Sequence, residues 1–181
     1  MLKRILLVPM IAMFASFTSV AFAADNTIGF QFRVPFQATA DKNVGSVNGQ
    51  STIVSFFLDQ DTEVGVLNEV INLKDKSAGG TAAGYDVTAI RISKNMASGA
   101  APVYVGMDIG SINVTTAAGA SLGASTMADI FGGVRLLMSK GKVSSFLGAE
   151  IGYRIAKPAL AGTLIESVGG TMMNLSVGLN F

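Results

Sequence analysis

From Met173 to Phe181 apolar and polar residues alternate without a break. Met173, Leu175, Val177, Leu179 and Phe181 form one row, and Asn174, Ser176, Gly178 and Asn180 form the other. A period of two belongs to an extended strand, so this segment has one greasy face and one polar face. The pattern recurs along the chain. Ile28, Phe30, Phe32, Val34 and Phe36 oppose Gly29, Gln31, Arg33 and Pro35. Val103, Val105, Met107 and Ile109 oppose Tyr104, Gly106, Asp108 and Gly110. Ala128, Ile130, Gly132, Val134, Leu136 and Met138 oppose Asp129, Phe131, Gly133, Arg135 and Leu137. Val143, Leu147, Ala149, Ile151, Tyr153 and Ile155 oppose Ser144, Phe146, Gly148, Glu150, Gly152 and Arg154.

Three further segments have strand composition: Ser51–Leu58, Glu63–Leu73 and Tyr85–Ser93. The faces in this region are ambiguous after Val66, and the register of Tyr85–Ser93 is set by turning Arg91 away from lipid. Eight strands result. Their connections at residues 37–50, 74–83, 115–125 and 157–170 are long and rich in Gly, Ala, Ser and Thr; those at 59–62 and 139–142 are short, and 94–102 is the exception. Long alternating with short is the rhythm of an up-and-down barrel whose rims face different compartments.

Residues 1–23 read as a signal peptide: Lys3 and Arg4 precede an apolar stretch that leads to Ala21-Phe22-Ala23. Cleavage after Ala23 leaves residues 24–181, with 11 basic and 12 acidic residues, as a single domain. That balance argues against a nucleic-acid partner. The chain has no Cys and no His, so it offers no thiol chemistry, no His general base and no His metal ligand. No cofactor is expected. Beyond the signal peptide no apolar run approaches the ~20 residues of a membrane-spanning helix.

The polar rows separate a membrane barrel from a soluble one. They carry Gly106, Gly110, Gly133, Gly148, Gly152 and Gly178, with Ser, Asn and isolated charges between them, which suits a crowded lumen better than a solvated face. Arg33, Arg91, Arg135 and Arg154 all fall in polar rows, whereas every Lys after residue 23 lies in a connection or at its edge. The planar guanidinium pairs with carboxylates in confined space; the hydrated ammonium belongs at a wet rim.

An exported chain of this length, with eight strands and a terminal aromatic on an alternating strand, resembles the small outer-membrane β-barrels of the OmpA/OmpX/opacity type. The resemblance implies an all-β, eight-stranded antiparallel up-and-down transmembrane barrel in the bacterial outer membrane, surrounded by its lipid. It also implies that Met173, Leu175, Val177, Leu179 and Phe181 form the signal read by the barrel-assembly machinery. The aromatic girdle is thin, with Phe36, Phe56, Tyr153 and Phe181, and there is no Trp.

The expected site is a lumen charge network of Arg33, Arg91, Asp108, Asp129, Arg135, Glu150 and Arg154. Pairing the strands around residues 139–142 sets Asp129 near Gly152, with Arg154 one diagonal step away. Asp129–Arg154 contact is expected near the outer rim, Glu150 should face Arg33 or Arg154, and Asp108 should neutralise Arg91 or Arg135. A catalytic pair of Asp129 with Glu150 is the less favoured reading, because interior charges of small barrels usually form structural networks. Asp59, Asp61 and Glu63 lack the glycine of an EF-hand loop and read as a solvated acidic turn. The function expected is a non-enzymatic envelope or surface-interaction role with an extracellular partner reached through the loops. The alternative is a passive, OmpW-like or porin-like channel for small hydrophobic or ionic solutes. A soluble ligand-binding barrel would show the opposite polarity, with apolar rows inward.

Overall fold

The computed structural model describes residues 28–39, 47–73, 84–97, 101–116, 118–139, 142–157 and 168–181; residues 1–23 and most of the longer connections lie outside these. Eight strands are present: β1 (Ile28–Thr39), β2 (Val47–Phe57), β3 (Thr62–Leu73), β4 (Gly84–Asn95), β5 (Val103–Thr115), β6 (Ser121–Ser139), β7 (Ser144–Ala156) and β8 (Gly170–Asn180). Each pairs antiparallel with its sequence neighbours, and β1 pairs with β8 to close the barrel. No sheet edge is left, so every ladder has a partner. Following hydrogen-bonded partners once around, from Arg154 through Asp129, Asp108, Arg91, Gly65, Ser55, Gly29 and Asn180, returns to β7 at Ser144, ten residues away. With ~3.3 Å per residue and ~4.8 Å between strands, that stagger inclines the strands by about 40°.

The regularly alternating segments take the faces their sequence predicts. Phe30, Val105, Leu136, Ile151 and Leu175 are exposed outside, while Arg33, Asp108, Arg135, Glu150 and Arg154 are buried inside. On β2 to β6, however, the alternation changes sides partway along. The outward residues Val54, Val66, Ile90, Ile109 and Ala128 are cross-strand neighbours on one line. Two residues further toward the end that carries the β1–β2 and β3–β4 connections, the outward line becomes Thr52, Asn68, Thr88, Ser111 and Thr126. Inside, at the same level, charged residues give way to a buried apolar cluster that includes Ile53, Leu67, Ile71, Tyr85, Val87, Ile112, Val114 and Met127. On β2 to β6 the barrel is therefore greasy outside and charged inside toward the short connections, and mainly polar outside and apolar inside toward the other end, while β1 and β8 stay greasy outside throughout. The ambiguity after Val66 is this reversal: Leu67 turns in and Asn68 turns out.

Two expectations about element ends are corrected. Residues 115–125 do not form a long connection, because Gly123–Thr126 pair with Ser111–Val114 and extend β6 to 19 residues, leaving only 116–120 between strands. The register of β6 on β7 also differs by two residues, so Asp129 stands directly opposite Arg154 and Phe131 stands opposite Gly152. The β6–β7 pairing shifts register between Leu137 and Ser139, which counting outward from an ideal turn does not anticipate.

Glycines in the inward rows make room for rings on the neighbouring strand. Gly106 lies opposite Phe131, Gly133 opposite Tyr104 and Gly178 opposite Phe146. A Cβ on Gly133 would stand 2.6 Å from the Tyr104 ring, and at Gly106 or Gly178 it would overlap the facing phenyl. Eight strands enclose little space, and these ring-over-glycine pairs fill it.

Candidate functional site

The inward rows of the charged part converge on an ion-pair chain that runs Asp108–Arg91–Glu150–Arg33–Glu69–Arg154–Asp129, with Arg135–Glu63 as a separate pair beside it. At its centre, Glu150 on β7 accepts hydrogen bonds from Arg33 Nη1 at 2.9 Å, Asn174 Nδ2 at 2.7 Å, Tyr104 OH at 3.2 Å and Arg91 Nη2. Arg91 also donates to Asp108 at 3.2 Å, and its guanidinium lies 3.7 Å over the Phe131 ring. Toward the apolar cluster, Arg154 grips Asp129 through Nε at 2.9 Å and Nη2 at 2.8 Å and donates Nη1 to Glu69 at 2.7 Å. Arg33 reaches the other oxygen of Glu69 at 3.4 Å and donates Nε to Ser51 at 2.9 Å. Toward the short connections, Arg135 donates to Glu63 at 2.6 Å while resting against the rings of Tyr104 and Phe146. Ser55 donates to the same carboxylate, and Ser93 does so at 3.3 Å.

The seven network residues singled out from sequence all point into the lumen and are buried. Asp129 meets Arg154, Glu150 meets Arg33, and Asp108 meets Arg91. Glu150 also pairs with Arg91, and the second partner of Arg154 is Glu69. The Asp129–Arg154 pair borders the apolar cluster, since Met127 and Ala156 are the next inward residues on the same two strands. Asp129 and Glu150 do not form a carboxylate pair, because each is engaged by guanidinium groups of its own.

Glu63 and Glu69 are the site residues that sequence reasoning missed. Glu63 belongs to the lumen and not to a solvated turn, so the grouping of Asp59, Asp61 and Glu63 is corrected. Asp59 instead organises the β2–β3 turn, accepting from the backbone N–H of Asp61 at 2.8 Å and of Thr62 at 2.7 Å. Those two hydrogen bonds hold its carboxyl below the ordinary carboxylate range. A signal for the missing pair did exist. The expected network had four guanidinium groups and only three carboxylates, and the only other strand carboxylates in an unresolved register were Glu63 and Glu69. With them, the described lumen holds four guanidinium groups and five carboxylates.

Beyond the charges, Tyr85 donates to Gln37 Oε1, and Gln37 Nε2 donates to the Val168 carbonyl at 2.7 Å, where the apolar cluster begins. Among the described residues, no group of His, Cys, Asp and Glu has metal-holding geometry. Chemically, the arrangement among the described residues is a set of buried ion pairs in which each carboxylate is engaged by a guanidinium group.

Met173, Leu175, Val177, Leu179 and Phe181 all lie exposed on the outer face of β8 or just beyond it. Phe181 continues the pairing, donating its N–H to the Ile28 carbonyl at 2.8 Å.

No protein-family model matches the chain, and no curated protein matches it. Among solved structures it is similar to Neisserial surface protein A, with a TM-score of 0.54 at 14% identity, over 87% of this chain and 96% of that one. The chain thus has the fold of that protein, a closed eight-stranded antiparallel β-barrel.

Proposed function

We propose that this protein is an integral barrel of the bacterial outer membrane, exported by a signal peptide at residues 1–23, with a non-enzymatic envelope or surface-interaction role and a lumen closed to solutes. The observation that carries this reading is the reversal of sidedness: apolar residues ring the outside where guanidinium–carboxylate pairs fill the inside. A soluble barrel would expose those apolar rows to water. Every lumen carboxylate among the described residues has a guanidinium partner, which supports a structural plug over a catalytic site, and the protein sharing the fold is by name a surface protein. The outward row of β8, ending at Phe181, is the segment offered to the barrel-assembly machinery. The connections on the far rim are the surface available to an extracellular partner.

Planar-bilayer recording tests the closed lumen. The unmodified protein is expected to show no unitary conductance, and Asp129→Ala and Arg154→Ala are expected to stay closed, because Arg33, Arg91, Glu150 and the rings of Tyr104, Phe131 and Phe146 still fill the section below. Discrete openings in the unmodified protein would replace the plug with the channel reading.

A further inference from the structure

The ion-pair chain of the lumen is not neutral when all its groups are ionised. Asp108, Glu150, Glu69 and Asp129 supply four carboxylates, and only three guanidinium groups, those of Arg91, Arg33 and Arg154, lie between them. The neighbouring Arg135–Glu63 pair is neutral by itself and lends no charge. Among the described residues the chain therefore carries one surplus negative charge, and every one of its side chains is buried. An unbalanced charge in such a place is strongly unfavourable, and a buried group relieves it by changing its protonation state.

The hydrogen bonds single out the group. Glu150 accepts from four side chains and Glu63 from three. Glu69 accepts from two guanidinium groups, and Asp129 is gripped by Arg154 through both Nε and Nη2. Asp108 has a single donor atom among the described residues, Arg91 Nη1, at 3.4 and 3.2 Å from its two oxygens. That guanidinium is already committed, since its Nη2 binds Glu150 and its face rests on Phe131. Asp108 also stands directly opposite Asp129 in the β5–β6 register, and both point inward. Residues so placed have Cβ atoms ~5 Å apart, where like charges are destabilising. The charged groups around Asp108 are thus Arg91 on β4, Asp129 on β6 and Glu150 on β7, with Arg33 on β1 beyond them. Both guanidinium groups in that set are shared with Glu150.

We infer that Asp108 is a proton-binding site of the lumen: as pH falls it is the first of the lumen carboxylates to take up a proton, and it does so with the barrel intact. The bound proton removes the surplus charge, ends the repulsion across the β5–β6 pair and leaves Arg91 to Glu150. A closed lumen is compatible with either state of Asp108, so conductance does not test the site.

The test uses the full chain, isotopically labelled at the side-chain carboxyl carbons of aspartate and glutamate, refolded into detergent micelles and titrated by NMR. The signal missing from Asp108→Asn identifies Asp108, and Asp61→Asn identifies an exposed reference on the β2–β3 turn. Asp108 is expected to protonate before every other lumen carboxylate and before Asp61, while the backbone amide pattern of the barrel stays unchanged. Protonation of Asp108 after or together with another lumen carboxylate, or after Asp61, overturns the site. An Asp108 signal that stays ionised and moves when sodium replaces choline in the buffer assigns the surplus to a metal cation and equally overturns it. Urea unfolding at neutral pH gives a second reading. Asp108→Asn, a neutral stand-in for the protonated acid, should match or exceed the midpoint of the unmodified barrel, whereas Asp129→Asn, which takes the counter-charge from Arg154, should lower it. A lowered midpoint in Asp108→Asn overturns the site, because a group poised to be neutral loses nothing by becoming an amide.

Discussion

At the scale of single residues, Glu150 is where the lumen is most interdependent. Four side chains from four other strands converge on it, two of them guanidinium groups. A buried ion pair adds little beyond a well-packed apolar substitute, but removing one partner strands the other charge. Glu150→Ala leaves Arg33 and Arg91 short of a counter-charge and should destabilise the barrel by about 3–5 kcal/mol. Glu150→Gln, which keeps an acceptor oxygen, should cost less. The midpoint of urea unfolding in vesicles, followed by gel mobility, checks the order. Equal stability of all three proteins would mean that the rings and glycines alone hold the lumen. The fully buried Arg33, Arg91 and Arg154 were legible because an arginine in a strand of an apolar-faced barrel has nowhere else to go. Glu63 and Glu69 were not, because their side is set by a change of phase that strand-by-strand alternation cannot locate.

At the scale of elements, the β2–β3 hairpin shows how a turn pins a register. Asp59 caps the backbone N–H groups of Asp61 and Thr62, and two residues later Glu63 must already point inward to meet Arg135. Since the folded-state pKa of Asp59 is lowered, its contribution to stability is complete above the unfolded carboxylate range and is lost as pH falls through the folded value. Asp59→Ala should therefore lower the unfolding midpoint at pH 7 and make no difference at a pH below both values. A midpoint shift that persists unchanged in acid would assign the loss to packing and not to the carboxylate. The long β6 has a comparable lesson. Its first residues, Ser121–Ser125, look like loop by composition, yet they are strand because β5 already stands beside them with free backbone groups to pair.

At the scale of the whole molecule, the barrel is two environments stacked on one set of strands. The boundary follows a hydrogen-bonded line across β2 to β6, so it climbs with the stagger instead of lying flat. Substituting arginine on the outer surface should map it. Val177→Arg, amid the greasy row of β8, should cost about 2–4 kcal/mol, as for a lipid-facing cation near the bilayer midplane. Ser111→Arg, also outward but on the polar line, should cost close to nothing. Equal costs at the two positions, read from urea midpoints in vesicles, would refute the division.

Alternation and connection length together determined a great deal: eight strands, their up-and-down order, the outward face of β1, β7 and β8, and the inward side of Arg33, Arg135 and Arg154, because a period of two leaves each side chain only two directions. Which carboxylate meets which guanidinium and where the rows exchange sides across β2 to β6 were decided only by closure. A ten-residue stagger and a register shift bring together side chains from strands far apart in the chain, and no local pattern encodes the height at which two distant strands come to face each other.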